Sequence, residues 1–339
     1  MIIRSKAPLR LGLAGGGTDV SPYCDVYGGA VLNASIGMYA YAHLEELQVG
    51  QITFTSLDLV QTEVCELSKS IPCNGRMDLY KHIFNRLTRE FDFQLRPFKL
   101  ITHSDAPYGS GLGGSSTMVV AILQCFVEWL NLPLGEYDIA QLAYSIERED
   151  AGLKGGKQDQ YAATFGGVNY MEFYADRVIV NPLRIKREVI NELEASLVLC
   201  FSGKSRESAN IIEAQINNAK RNDQNAVEAM HKVKADSVAM KEALLTKRLG
   251  LFAEILDSSW SNKKKMAESI TNSQIDSIYD LAKMSGAIAG KVSGAGGGGF
   301  MVFMAKPEDK VVLKNALRTN GYRAEDVNFT EFGVQSWIA

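Results

Sequence analysis

A glycine-rich segment in the first half of the chain has the composition of a phosphate-binding loop. It runs from Gly109 to Thr117 as Gly-Ser-Gly-Leu-Gly-Gly-Ser-Ser-Thr, and the apolar segment Met118 to Leu130 that follows is typical of a buried helix. The first amides of a helix have no partner within it, and the helix dipole favours negative charge at that end. The segment therefore predicts a site for nucleotide phosphates.

Other interpretations of this loop remain open. Gly109, Gly111 and Gly114 match the G-x-G-x-x-G pattern of dinucleotide-binding folds, but that pattern usually lies in a first βαβ unit, and here it begins about a hundred residues into the chain. No G-x-x-x-x-G-K-[ST] loop of the Walker type occurs. A glycine-rich turn without a ligand is the remaining alternative.

More than half of the 30 glycines are clustered, which indicates several loops around one site because glycine suits tight turns and close approach to a ligand. The clusters are Gly15 to Gly17; Gly109, Gly111, Gly113 and Gly114; Gly155 and Gly156; Gly166 and Gly167; and Gly294 with Gly296 to Gly299.

Three motifs in order resemble those of the GHMP kinases, a family named for galactokinase, homoserine kinase, mevalonate kinase and phosphomevalonate kinase. They are Ala7 to Asp19, Pro107 to Thr117 and Lys291 to Phe300. The resemblance implies an α+β fold of two domains, with an N-terminal domain like ribosomal protein S5 domain 2, a ferredoxin-like C-terminal domain and the site between them. Periodicity alone indicates no more than α+β.

Within the family, the first motif and the segment Gly155 to Tyr161 are most similar to kinases of D-glycero-D-manno-heptose 7-phosphate. This resemblance implies ATP-dependent phosphorylation of the anomeric hydroxyl, which gives the 1,7-bisphosphate for nucleotide-activated heptose. A free-sugar 1-kinase such as L-fucokinase is the main alternative; a decarboxylase of the same fold and a non-catalytic sugar sensor are two others. Galactokinases carry Gly-Glu-His where this chain has Gly15 to Gly17, which argues against galactose.

The resemblance also assigns roles in phosphoryl transfer. Asp159 is expected to act as the base toward the acceptor hydroxyl, unless it is an exposed loop carboxylate or a helix cap. A fixed guanidinium at Arg10 could hold both the acceptor oxygen and the γ-phosphate. The ATP phosphates are expected at Pro107, Gly109, Ser110, Gly111, Leu112, Gly113, Gly114, Ser115 and Ser116.

A magnesium site is expected beside these phosphates, because Mg²⁺ takes a few hard oxygen ligands and keeps several waters. Ser116 and Glu147 fit this requirement. Glu147 precedes Asp159 by the spacing expected from galactokinase-like members. Glu149 and Asp150 are the neighbouring alternatives.

Sugar contacts are expected on both sides of the transfer site. Asp19 could accept hydrogen bonds from two hydroxyls, although capping the following segment is an alternative. A phosphate at the far end of the sugar needs a cation away from the ATP phosphates, for which Lys157, Lys204 and Arg206 are candidates. The segment from Gly203 follows a predicted strand and opens a helix, which is anion-binding geometry, although a capped helix with solvated basic residues is the alternative. The full set is Arg10, Gly16, Gly17, Thr18, Asp19, Lys157, Asp159, Arg206, Gly294 and Gly296.

Composition restricts the class of protein and its partners. The 339 residues are 46% apolar and 22% charged, with a net charge of −3, which gives no reason to expect nucleic acid. Five cysteines without a C-x-x-C pair indicate a reducing compartment. With neither an apolar leader nor an 18-residue apolar run, we expect a cytoplasmic enzyme of small molecules that does not enter a membrane. The oligomeric state is not predicted.

The pattern of apolar residues predicts domains over residues 1–185 and 186–339, divided where Pro182 precedes a charged stretch. Lys263 to Lys265 is interpreted as an exposed turn. Predicted strands are 3–13, 30–44, 51–57, 62–67, 98–103, 168–173, 178–180, 196–201 and 300–304, and predicted helices are 78–91, 118–130, 137–149, 207–222, 225–245, 249–259 and 273–284.

Overall fold

Two β-sheets organise the chain in a computed structural model that describes residues 1–203, 208–221 and 223–339. The first sheet contains β1 (Ile2–Ala14), β2 (Gly29–Glu46), β3 (Ile52–Ser56), β4 (Gln61–Cys65), β5 (Phe98–Ser104), β6 (Val168–Phe173), β7 (Val178–Pro182) and β12 (Gln335–Ile338). The second contains β8 (Leu197–Phe201), β9 (Ala287–Val292), β10 (Phe300–Ala305) and β11 (Arg323–Asp326).

Helices cover these sheets and connect their strands. They are α1 (Tyr23–Tyr27), α2 (Asp78–Glu90), α3 (Gly114–Leu130), α4 (Glu136–Ser145), α5 (Gln158–Phe165), α6 (Arg187–Ser196), α7 (Ser208–Lys220), α8 (Gln224–Leu245), α9 (Leu249–Lys263), α10 (Ser273–Met284) and α11 (Lys310–Thr319). A π-helical turn, Ile146–Asp150, continues α4, and a 3₁₀ turn covers Glu268–Ile270. None of the described helices is long and apolar enough to cross a bilayer.

The first sheet is built on the long antiparallel pair β1 and β2, within the strand order β12-β1-β2-β5-β3-β4. The other end of β2 pairs with β6, which pairs with β7. The β1–β2 register shifts between Pro8 and Arg10 and again between Gly12 and Ala14. Such irregularities bend a strand and redirect its side chains. They fall within the first motif, where Arg10 must face the site.

The second sheet has the strand order β11-β8-β10-β9, and all of its pairs are antiparallel. In chain order this is fourth, first, third, second, the arrangement of a ferredoxin-like fold. The connection from β8 to β9 is expanded into α7 to α10, and α11 connects β10 to β11. The expected α+β class and the ferredoxin-like second domain are confirmed.

The apolar helix α3 forms the centre of the first core. It packs on β1 and β2, and most of its side chains are buried, among them Val119, Ile122 and Phe126. Burying one such side chain contributes about 1.5–3 kcal/mol. This packing fixes the N-terminal end of α3, where the glycine-rich loop enters.

A second core joins the two halves of the chain around the first motif. Leu9 and Leu11 of β1 belong to the same buried cluster as Phe252 and Leu256 of α9 and Phe300 of β10. The last strand, β12, returns to the first sheet and pairs with β1. The division at residues 185 and 186 remains a prediction.

The strong sequence patterns are confirmed as elements, and the weaker ones were missed. The predicted helix 137–149 is confirmed as helical, but its last turn differs in type, because α4 ends at Ser145 and a π-helical turn continues to Asp150. The predicted turn at Lys263 to Lys265 is wrong at its start, since Lys263 is the buried last residue of α9. The helix predicted over 207–222 begins and ends outside the described residues. The elements α1, α5, α6, β9, α11, β11 and β12 were not predicted.

Candidate active site

The glycine-rich loop lies between β5 and α3, and its backbone requires glycine at several positions. Gly109, Gly111 and Gly113 have φ values of 70°, 77° and 80°, a region that side chains disfavour. The helix begins at Gly114, with Ser115 exposed in its first turn. Its first amides have no acceptor within the helix. The loop therefore has amide donors free for an anion, and the nucleotide phosphate site stays a prediction.

The remaining predicted loop residues anchor this surface. Ser110 and Leu112 are buried, while Pro107 is exposed at the start of the loop. The amide of Phe300 donates to the Ser110 carbonyl over 2.8 Å, and the amide of Arg10 donates to the Leu112 carbonyl over 3.1 Å. The first and third motifs thus both hold the phosphate loop.

Glycines permit the direct contact between the second and third motifs. A Cβ built on Gly111 would lie 2.6 Å from the carbonyl oxygen of Ser293, and one built on Gly294 would lie 2.5 Å from the carbonyl oxygen of Gly111. Gly294 therefore packs against the phosphate loop. Gly296 instead packs against Ile270, whose carbonyl oxygen would lie 2.7 Å from its Cβ.

Arg10 and Asp159, the two predicted catalytic residues, form an ion pair. Nε of Arg10 donates to Oδ1 of Asp159 over 2.8 Å, and Nη1 donates to the Gly111 carbonyl over 2.6 Å. Arg10 is 4% exposed, whereas the Asp159 side chain is 23% exposed. The guanidinium is therefore fixed by the protein, and the carboxylate has one side open to a substrate.

Asp159 lies in the first turn of the short helix α5, directly against the phosphate loop. A Cβ built on Gly113 would lie 3.1 Å from its Cγ and 3.3 Å from its Oδ2. Because Gly113 precedes the first residue of α3, the carboxylate is next to the amides that would hold phosphates. A group that accepts a proton from the acceptor hydroxyl must occupy such a position.

Ser116 and Glu147, the two predicted metal ligands, are joined by Gln160. Nε2 of Gln160 donates to Ser116 Oγ over 3.1 Å and to Glu147 Oε2 over 2.5 Å. Glu147 is 1% exposed, and its Oε1 has no hydrogen-bond partner among the described residues. Burial raises the pKa of its carboxyl, against the nearby Arg148 charge and the Ser116 and Gln160 hydrogen bonds, which lower it.

The two neighbouring carboxylates face another part of the protein. Glu149 and Asp150 both pair with Arg86 of α2, over 3.2 Å and 3.3 Å, and the Glu149 side chain is 61% exposed. The π-helical turn therefore directs Glu147 inward and Glu149 outward. Such turns are frequent at functional sites.

Residues at this cluster fit a divalent cation. The buried Glu147 carboxylate has the Arg148 Nη1 3.9 Å from its Oε1 but no hydrogen bond to that oxygen among the described residues, so its charge is only partly balanced. The Ser116 hydroxyl supplies a second hard oxygen beside the phosphate loop. Within the described ranges, no group of three or more His, Cys, Asp or Glu could enclose a metal. A magnesium ion here would therefore depend on phosphate oxygens and water for its other ligands.

Asp19 is buried and held in one orientation by neutral donors. Its Oδ2 accepts from the Gln158 amide over 3.0 Å, and its Oδ1 accepts from the Gln158 side chain and the Gly17 amide, both over 3.2 Å. Thr18 has a different role: its hydroxyl donates to the carbonyls of Gly15 and Ala30, which fixes the turn.

Of the three residues predicted to bind the phosphate at the far end of the sugar, the structure describes only Lys157. Lys157 is largely buried, donates to the Tyr174 carbonyl over 2.8 Å and lies 3.8 Å from an oxygen of Asp25. Its charge is therefore partly engaged. Lys204 and Arg206 lie outside the described residues.

Three polar side chains near the candidate site were missed. Lys263 lies against Gly16, where a Cβ would be 3.2 Å from its Nζ, and Gln215 lies against Gly17, where a Cβ would be 3.1 Å from its Oε1. Gln160 was also missed, although it stands beside the predicted base. No signal in the sequence distinguishes Lys263 from the two lysines that follow it.

This fold is that of the GHMP kinases. The family's N-terminal domain matches residues 78–167, and its C-terminal domain matches residues 240–323. The chain belongs to this family and is a kinase, and GHMP kinases use ATP as phosphate donor.

Individual relatives agree with this assignment. The chain is 50% identical over 336 residues to a D-glycero-alpha-D-manno-heptose 7-phosphate kinase of Campylobacter jejuni, covering 99% of this chain and 98% of that protein. It is 45% identical to a crystal structure titled a D-glycero-D-manno-heptose 1-phosphate kinase from Bacteroides thetaiotaomicron, with TM-score 0.86 and 99% of each chain covered. The galactokinase of Lactococcus lactis, with TM-score 0.78, 18% identity and coverage of 98% of this chain and 95% of that one, shares the fold.

Proposed function

We propose that this protein transfers the γ-phosphoryl group of ATP to the anomeric hydroxyl of D-glycero-D-manno-heptose 7-phosphate, giving the 1,7-bisphosphate for nucleotide-activated heptose. The Arg10–Asp159 ion pair beside the first turn of α3 is the observation that supports phosphoryl transfer as the reaction. The 50% identity to a heptose 7-phosphate kinase over nearly the whole chain supports the substrate.

Asp159 and Arg10 have different roles at the acceptor oxygen, proton acceptance and charge stabilisation. The proton of the acceptor hydroxyl passes to the Asp159 carboxylate as that oxygen bonds to phosphorus, and the bond between phosphorus and the leaving oxygen breaks. The Arg10 guanidinium holds the carboxylate through Nε and stabilises negative charge that develops in the transition state. Because Gly111 also binds this guanidinium, the cation needs little rearrangement during the reaction.

Ser116 and Glu147 would hold Mg²⁺, which supplies charge neutralisation at the phosphates when bound. Gln160 keeps the two ligands together by donating to both of them. Its other contribution is to orient the Glu147 carboxylate.

Asp19 would bind hydroxyls of the sugar, since it lies at the glycine triplet with both oxygens fixed. Lys157, Lys204 and Arg206 remain our candidates for the phosphate at the far end. Only a local cation can serve there, because the net charge of the chain is negative.

An assay of product identity tests this function. The protein is incubated with ATP, Mg²⁺ and heptose 7-phosphate, heptose 1-phosphate, free heptose, L-fucose or galactose, and the products are identified by NMR and mass spectrometry. The two heptose kinases named above differ in the phosphate position of their titles, so both monophosphates are required. We expect the 1,7-bisphosphate from the 7-phosphate. Preference for unphosphorylated fucose would replace the proposal with a free-sugar 1-kinase.

We also infer that the enzyme works in the cytoplasm. All five cysteines are free thiols, which suits a reducing compartment.

A further inference from the structure

Two side chains from the second half of the chain lie against the glycine triplet of the first motif. Lys263 is the last residue of α9, and Gln215 lies on α7. They are 3% and 2% exposed. Since a Cβ on Gly16 or Gly17 would crowd them, these glycines leave space for two buried polar groups.

Both side chains have donors that the described part of the chain does not use. Among the described residues, the Lys263 ammonium donates one hydrogen bond, to the Gly294 carbonyl over 2.5 Å. Gln215 Nε2 is buried and has no hydrogen-bond partner there. Buried polar groups are normally paired, and an unpaired donor is costly. The two positions are therefore suited to a ligand that supplies acceptor oxygens.

Lys263 lies between the first and third motifs, because its Nζ is 3.2 Å from a Cβ on Gly16 and donates to the Gly294 carbonyl. Burial, with a smaller contribution from the Arg10 guanidinium, lowers the pKa of its ammonium to about 8, against the Asp19 and Asp159 carboxylates, which raise it. The predicted base and the predicted sugar-binding carboxylate therefore both influence the charge of this ammonium.

We propose that Lys263 and Gln215 donate hydrogen bonds to hydroxyl oxygens of the acceptor sugar and so help to select it. Sugar hydroxyls both donate and accept. Asp19 provides acceptors and Lys263 provides donors, while Gln215 provides a donor at Nε2 and an acceptor at Oε1, which lies on the side of Gly17. The inference rests on the proposed sugar kinase function. It extends the sugar site from the first motif to α7 and α9, so that both halves of the chain recognise one substrate.

Steady-state kinetics of Lys263→Met and Gln215→Leu test this inference, with Lys265→Met as the matched control. Lys265 is exposed two residues further on, so its substitution removes the same charge outside the site. We expect Lys263→Met to raise the KM for the sugar phosphate at least about tenfold and Gln215→Leu about threefold to tenfold, because charged donors contribute more than neutral ones. The KM for ATP should stay within about threefold of wild type.

Deoxy analogues of the accepted sugar phosphate provide the decisive comparison. Removing the hydroxyl that Lys263 binds should raise the KM of wild type for the sugar. The same removal should leave the KM of Lys263→Met unchanged, because that variant already lacks the interaction. If every deoxy analogue raises the KM by the same factor in wild type and in Lys263→Met, the inference is overturned. So would equal rises in the KM for ATP and for sugar, which indicate a structural role through Gly294.

The design separates this inference from the proposed function. If wild type rejects heptose 7-phosphate and accepts another sugar, the proposed substrate fails, and the same variants are measured on analogues of the accepted sugar. If Lys263→Met is insoluble, Gln215→Leu still decides, because Gln215 does not carry the Gly294 hydrogen bond. An unchanged sugar KM in Gln215→Leu would then contradict the proposal.

Discussion

Arg10 and Asp159 are 149 positions apart in the chain, yet Nε of the first lies 2.8 Å from Oδ1 of the second. The guanidinium also binds the Gly111 carbonyl, so the pair and the phosphate loop form one unit. Oδ2 of Asp159 lies on the side of Gly113. One carboxylate oxygen is therefore oriented by the protein, and the other lies beside the loop.

Replacing the base should stop turnover without removing the nucleotide. We expect Asp159→Asn to lower kcat by about 10²–10⁴, because the amide cannot take the proton, while ATP affinity changes by no more than a few fold. Single-turnover kinetics and ATP titration calorimetry measure the two effects. Activity close to wild type would remove Asp159 from the proton transfer.

Glu147 should control the requirement for magnesium. Glu147→Gln removes one charged oxygen ligand, so we expect a higher Mg²⁺ concentration for half-maximal activity. Glu149→Gln is the matched control, because that side chain is exposed and pairs with Arg86. If the control shifts the Mg²⁺ titration and Glu147→Gln does not, the ligand has been misassigned.

The same substitution should change stability with pH in a defined direction when Mg²⁺ is absent. Burial raises the pKa of Glu147 in the folded protein, so the unfolded chain loses this proton at lower pH, and folding stability falls as pH rises through the interval between the two values. An amide at this position does not titrate. The stability advantage of Glu147→Gln in urea unfolding should therefore grow across that interval and be constant above it. A constant difference from acid to neutral pH would contradict this.

Two glycines with similar backbone angles should differ in their tolerance of alanine. Gly75 and Gly111 have φ values of 87° and 77°, but a Cβ on Gly75 meets nothing within 4 Å, whereas one on Gly111 meets the Ser293 carbonyl at 2.6 Å. Gly75→Ala should cost about 1–2 kcal/mol of unfolding free energy. Gly111→Ala should cost about 3 kcal/mol or more and weaken ATP binding. Equal unfolding midpoints in urea would show that the loops can separate freely.

Arg206 is predicted to distinguish phosphorylated from free sugar. Arg206→Ala should lower kcat/KM for heptose 7-phosphate more than about tenfold, as expected for a lost charge-assisted contact. The kcat/KM for free heptose should barely change. Comparing kcat/KM for the two sugars in one variant cancels general damage to folding. Equal losses would direct the search for the phosphate contact to Lys157 or Lys204.

Long motifs and strong periodicity made part of this architecture predictable. The loop before α3 could be predicted because glycine at such spacing has few other uses, and Glu147 could be placed by its distance from Asp159. Its inward direction could not, because it depends on the π-helical turn, which the amphipathic pattern of α4 does not reveal.

Lys263 shows why the rest of the site was missed. Three successive lysines are typical of a solvated turn, and local pattern assigns all three the same environment. The burial of Lys263 depends on α9 packing beside the first motif, a contact between residues far apart in the chain. Short elements such as α5 and β12 were missed for the same reason, since tertiary pairing rather than propensity stabilises them.

The backbone contact between the second and third motifs also limits how this kinase could be redesigned or diverge. A Cβ built on Gly294 would lie 2.5 Å from the Gly111 carbonyl oxygen, and one built on Gly299 would lie 2.3 Å from the Ser110 carbonyl oxygen, so neither position has room for a side chain. Each glycine is therefore constrained by its neighbour, and accepting one substitution would require a compensating change in the other loop. A mutant library for new acceptor sugars should leave both loops intact and vary Gln158 and Gln215, whose side chains lie around the first motif without contacting the loop junction, whereas Lys263 binds the Gly294 carbonyl within it.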